Sequence, residues 1–124
     1  MSTLKKILLV DDDADHLRLC AHIFKRRGNE VLSLLGCGEL KVMALAVETF
    51  QPDLIFMDHN MPGICGMDIT RMLKANPLFR HIPVIYFSGE ENLGSLAEQA
   101  GADDWLKKPF ELDSLLMAAS KFIG

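Results

Sequence analysis

Five short apolar runs alternate with five stretches of helical periodicity, and that alternation leaves few folds open. Residues 4–10 form the first run; Leu17, Ala21 and Phe24, with Ala14 before them, then mark one helix face that stops at Gly28. Residues 31–35 form the second run, followed by a helix through Leu40, Met43, Ala44 and Val47 that ends before Gln51-Pro52. Residues 54–57 lead into the breaker-rich segment Asn60-Met61-Pro62-Gly63 and a helix through Ile69, Met72 and Leu73. Residues 83–87 precede a helix through Leu93, Leu96, Ala97 and Ala100, closed by Gly101. A short run at Trp105-Leu106 precedes the last helix, through Leu112, Leu115, Leu116 and Ala119. Strand–helix alternation of this kind predicts right-handed crossovers and a mainly parallel sheet covered on both faces. At 124 residues one domain is expected, with its functional crevice outside the carboxyl ends of the strands.

Two of those strands run straight into acids: Ile7-Leu8-Leu9-Val10 into Asp11-Asp12-Asp13, and Leu54-Ile55-Phe56-Met57 into Asp58. Neighbouring strands ending this way gather at least three carboxylates in one crevice. At ~5 Å and an effective dielectric of ~20, each pair repels by roughly 3 kcal/mol. Such a cluster calls for a cation, and hard oxygen ligands suit Mg²⁺. Ser88 and Lys108 fall at the ends of the fourth and fifth strands, where a hydroxyl and an ammonium can meet a phosphoryl group. One of the acids is then a candidate nucleophile, since carboxylates form acyl phosphates.

The net charge of −4, with no basic stripe, argues against direct nucleic-acid binding. No apolar run approaches the ~20 residues that span a bilayer, and no signal-peptide layout precedes the first strand, so a cytoplasmic protein without membrane contact is expected. Cys20, Cys37 and Cys65 lack metal-ligand spacing and read as reduced structural thiols.

Taken in order, the chain resembles the receiver domain of two-component response regulators, most closely the single-domain chemotaxis type. The motifs are the acid pair in Leu9-Val10-Asp11-Asp12-Asp13, the segment Asp58-His59-Asn60-Met61-Pro62-Gly63 with Gly66, Ser88-Gly89, and residues 101–110 around Lys108-Pro109. The resemblance covers residues 4–122 and implies a doubly wound, flavodoxin-like sheet of five parallel strands, in the order 2-1-3-4-5, with five helices. It implies a phosphorylation-activated switch in which Asp58 is the phospho-acceptor. Asp12, Asp58 and the backbone carbonyl of Asn60 would hold Mg²⁺, with Asp11 acting through water. Ser88 and Lys108 would contact the phosphoryl group, and Trp105 stands where the family carries its switching aromatic. The implied partners are a sensor histidine kinase or histidine phosphotransfer protein and a downstream protein that reads the face of helix 4, strand 5 and helix 5. The Lys108-Pro109 bond is one that the family often holds cis. Residues 1–124 read as a single receiver domain with no effector domain, catalysing only its own phosphorylation and dephosphorylation.

Departures from the family pattern include about two extra residues between Gly28 and Asp58, around Gly36-Cys37-Gly38, and about two fewer between Ser88 and Gly101. Glu90 then reads as the residue two beyond the hydroxyl, Ser88 replaces the commoner Thr, and Gly89 replaces Ala. Asp13 reads as the cap of the first helix, His16 as a solvated helix histidine, His59 as either an exposed loop residue or one that tunes access to Asp58, and Asn60 as tuning dephosphorylation. Lys107 reads as a solvated neighbour of Lys108, and the seven methionines as core filler. Two rival readings stand beside the switch: a small haloacid-dehalogenase-type phosphatase using Asp11 and Asp13, and a degenerate receiver that only binds proteins.

Overall fold

The computed structural model describes residues 4–36, 39–61 and 66–124. The elements follow in order as β1 Lys6–Asp11, α1 Ala14–Arg26, β2 Glu30–Leu35, α2 Leu40–Phe50, β3 Leu54–Met57, α3 Gly66–Ala75, β4 Val84–Ser88, α4 Leu93–Ala100, β5 Asp104–Lys107 and α5 Leu112–Ile123. All four strand pairings are parallel, and the sheet order is β2-β1-β3-β4-β5. This is the doubly wound five-stranded fold that the alternation and the resemblance implied.

Strand alternation divides the core into two layers. Ile7 and Leu9 of β1, Leu54 and Phe56 of β3 and Ile85 and Phe87 of β4 face α1 and α5. Leu8 and Val10, Ile55 and Met57, and Val84 and Tyr86 face α2, α3 and α4. The central strands β1, β3 and β4 are thus buried on both faces, which is why they read as unbroken apolar runs.

The strand ends differ from the sequence reading in a way that matters for the site. β1 begins at Lys6 rather than Leu4, which is exposed, and runs on through Asp11, paired with Leu35. β4 likewise includes Ser88, paired with Lys107. Both polar residues therefore belong to the sheet ladder. Ala14, Leu40 and Leu112, read as core positions, are exposed, each in a first helical turn that stands beyond the carboxyl edge of the sheet. Of the methionines, Met43, Met57 and Met61 are buried, whereas Met117 is exposed and does not fill the core. The backbone bond between Lys108 and Pro109 is cis. Cys37, Cys65, Gly38 and Pro62-Gly63 lie outside the described residues.

Candidate functional site

The register of the central strands brings the predicted residues to one crevice. Asp11 is the last residue of β1, Asp12 follows it, and Asp58 follows β3, its N–H donating to the Val10 carbonyl at 2.9 Å. One carboxylate oxygen from each of Asp11, Asp12 and Asp58 lies within 4.8 Å of the others. Asp11 and Asp58 are buried while Asp12 is exposed at the mouth. Three hard oxygen donors converging from two buried acids and one open one fit a small divalent cation that keeps several waters.

Lys108, directly after β5, enters from the other side. Its Nζ donates to Asp11 Oδ2 at 2.7 Å and stands 3.9 Å from Asp58 Oδ1. Its backbone N–H donates to the Ser88 carbonyl at 2.8 Å, which ties the end of β5 to the buried Ser88 at the end of β4. Asn60, two residues beyond Asp58, bonds through its side-chain amide to Glu90, spanning the loops after β3 and β4.

Identical groups acquire opposite proton affinities here. Burial works to raise the Asp11 carboxyl, but hydrogen bonds from His16 and Lys108, the Lys108 charge and the Asp13 N–H outweigh it. Asp11 is thereby held well below the usual carboxylate range. Asp58 is pushed up to about 7, first by burial and then by the Asp11 charge and hydrogen bonds to Asp11 and Asp12, against the pull of Lys108. Of the two buried acids, Asp58 therefore has the higher proton affinity.

Two positions depart from the sequence reading. His16 is not solvated: its ring is mostly buried, with Nδ1 2.7 Å from Asp11 Oδ2. The signal was present in the spacing, because His16 lies four residues before the buried Cys20 and eight before Phe24, on the inward face of α1. Nor is His59 simply an exposed loop residue, since it is half-buried with Nδ1 3.1 Å from the Tyr86 hydroxyl. Asp13 caps α1 as expected, accepting from the N–H groups of Asp15 and His16.

Gly66 has a stricter role than its motif suggested. It opens α3 against the end of β3, and a Cβ there would stand 2.0 Å from the Asp58 carbonyl oxygen. Trp105 is not drawn into the acid cluster; its half-exposed indole lies over Gly94 of α4. Lys107 is exposed and loosely paired with Glu91 at 3.8 Å, as its solvated reading implied. Cys20 is buried and its thiol is pushed up to about 12, mainly by burial and by the Asp11 charge. Among the described residues, no helix is long and apolar enough to cross a membrane.

Fold and crevice together define a doubly wound α/β protein with an acid–lysine site on the carboxyl edge of its sheet. The family model described as "Response regulator receiver domain" matches residues 7–120, and the chain belongs to that family. It is 35% identical over 125 residues to the phosphate regulon transcriptional regulatory protein PhoB of Pseudomonas aeruginosa, covering 97% of this chain and 53% of that one. It is 29% identical to the DNA-binding response regulator MtrA of Mycobacterium tuberculosis, covering 94% of this chain and 50% of that one. The chain thus spans about half the length of these two curated relatives. Its fold also matches the chemotaxis protein CheY4 of Vibrio cholerae (TM-score 0.85, 22% identity, 97% and 99% coverage). A signal receiver domain from Bermanella marisrubri matches with a TM-score of 0.83 at 28% identity, covering 98% of this chain and all of that one.

Proposed function

We propose that the chain is a phosphorylation-controlled switch that takes a phosphoryl group from a phosphohistidine onto Asp58. The observation that carries this is the pairing of two unlike acids. Asp11 stays ionised on Lys108, while Asp58 sits 3.9 Å from the same ammonium and makes no closer ion pair with it. An Asp58 oxygen attacks phosphorus as the bond to the donor imidazole breaks, the imidazole leaving with the electron pair. Lys108 then has a second anion to pair with, and the Ser88 hydroxyl a phosphoryl oxygen to donate to. Asp11, Asp12 and Asp58, with the Asn60 backbone carbonyl, would hold Mg²⁺. When bound, it offsets the carboxylate repulsion and neutralises phosphoryl charge.

The implied donor is a sensor histidine kinase or a histidine phosphotransfer protein. The output is a change in the face formed by α4, β5 and α5, where half-exposed Trp105 covers Gly94. In this reading residues 1–124 act as one receiver unit of a cytoplasmic phosphorelay. Family membership favours the switch over a haloacid-dehalogenase-type phosphatase, which leaves Asp58 without a role.

Incubation with acetyl phosphate and Mg²⁺, followed by intact mass, is expected to give one phosphoryl adduct that Asp58→Asn abolishes. An adduct that survives that substitution overturns the proposal. So does the absence of an adduct together with the absence of beryllofluoride binding.

A further inference from the structure

His16 takes no part in the chemistry proposed above, yet its ring is held at both nitrogens and by two aromatic side chains. Nδ1 lies 2.7 Å from Asp11 Oδ2, the same oxygen that accepts from Lys108 at 2.7 Å. Nε2 lies 3.6 Å from the Cys20 sulfur, one helical turn along α1. The ring packs against Phe87, with centroids 5.2 Å apart, and Phe110, at 5.4 Å, both in T-shaped contact. Phe87 also lies under the Lys108 ammonium, 5.0 Å from its ring centroid, so one aromatic side chain supports both donors to Asp11.

A carboxylate oxygen paired with Lys108 only accepts, so the 2.7 Å contact with Asp11 Oδ2 puts a proton on His16 Nδ1. Nε2 faces the buried Cys20 sulfur, which can act as a weak donor or a weak acceptor. Asp11 is left with Oδ2 accepting from His16 and Lys108, and Oδ1 accepting from the Asp13 N–H at 3.1 Å. Of roughly four acceptor sites on a carboxylate, about one remains open toward the crevice.

We propose that His16 is a positioning residue for the metal seat: pinned by Cys20, Phe87 and Phe110, it donates from Nδ1 and fixes the orientation of the buried Asp11 carboxylate. This rests on the Mg²⁺-dependent reading of the crevice. It adds to that reading an outer layer, Cys20–His16–Asp11, built from α1 and β1. Partners of this kind behind a ligating carboxylate typically change metal affinity 10–100-fold when removed.

Three substitutions separate geometry from packing. Asn places its amide nitrogen near the position of Nδ1, Gln near that of Nε2, and Leu offers neither. Mg²⁺ titrations by calorimetry on the unphosphorylated protein are expected to show His16→Leu and His16→Gln weakened by about tenfold. His16→Asn should stay within about threefold of wild type. Equal affinities across the set, or Asn no better than Gln, overturn the inference; should the Leu variant fail to fold, the Asn–Gln pair carries the test. In chelator, long-range ¹H–¹⁵N correlation is expected to show a proton on His16 Nδ1, and a ring with Nδ1 unprotonated overturns the assignment. Wild-type protein that binds no Mg²⁺ and takes no phosphoryl group would sink the switch reading instead, and the Nδ1 proton would still test the positioning.

Discussion

The end of β1 and the end of β3 carry the same chemical group a few ångströms apart, and the protein treats them in opposite ways. At β1, Asp11 is anchored by side chains: His16 and Lys108 donate to one oxygen and the Asp13 N–H to the other. At β3, Asp58 is anchored through the backbone, with its N–H on the Val10 carbonyl and its carbonyl oxygen beneath Gly66. The first arrangement saturates a carboxylate and keeps it ionised. The second fixes the main chain, while burial and then the Asp11 charge raise the carboxylate's proton affinity. Both acids are buried, so the donors gathered on Asp11 are what set the two apart.

The widest test of this division is phosphoryl acceptance. With acetyl phosphate and Mg²⁺, Asp58→Asn is expected to lose the adduct entirely, whereas Asp11→Asn should still label, at a rate reduced by about 100-fold. Intact mass over a time course reads both. Labelling lost equally in the two variants would erase the distinction between the strand ends.

Next comes the backbone half of the comparison. Gly66→Ala sets a methyl 2.0 Å from the Asp58 carbonyl oxygen, and neither partner is a flexible side chain. Urea unfolding is expected to show a loss of about 3 kcal/mol. Gly89→Ala, where nothing lies within 4 Å, should change stability by less than about 0.5 kcal/mol. If the two variants match, the end of β3 does not depend on the close approach of α3.

A smaller effect tests the shared cation. Lys108 stands 2.7 Å from Asp11 and 3.9 Å from Asp58, partly open to solvent. Double-mutant cycles with Lys108→Met in chelator are expected to give a coupling of about 2 kcal/mol to Asp11, after discounting for that exposure, and below about 1 kcal/mol to Asp58. A larger coupling to Asp58 would make Lys108 part of the β3 end instead.

How much of this was legible beforehand follows from range in sequence. The alternation of apolar runs and helical stripes carried the five strands and five helices, because each element declares its own period over a few residues. Asp11, Asp12, Asp58, Ser88 and Lys108 were visible as a set because each marks a strand end, and parallel strands share one carboxyl edge. His16 shares the spacing of Cys20 and Phe24 on α1, but an imidazole at such a position is also compatible with solvent, so it was not read as part of the site. Phe87 and Phe110, far along the chain, flank its ring in the fold. The Asn60–Glu90 bond, the His59–Tyr86 contact and the split in proton affinity between Asp11 and Asp58 likewise depend on side chains 27 to 97 positions apart, beyond any local pattern.

The finest test uses pH. An unfolded aspartate titrates near 3.8, and Asp58 in the folded, metal-free protein is pushed up to about 7. The folded state therefore binds the proton more tightly. Its stabilising effect is complete below pH ~4 and is lost as pH rises through about 7. Asp11 has the opposite sign: its contribution is present above pH ~4 and is lost only in strong acid, so it adds no slope in this window. Thermal unfolding in chelator is thus expected to show wild type falling by several °C relative to Asp58→Asn between pH 5 and pH 8. Mg²⁺ at pH 8 should recover most of that loss in wild type and less in the variant, because a cation offsets the burial and the Asp11 repulsion that the ionised Asp58 meets at that pH. Parallel wild-type and Asp58→Asn profiles across this window would mean that the end of β3 is as well supplied with donors as the end of β1.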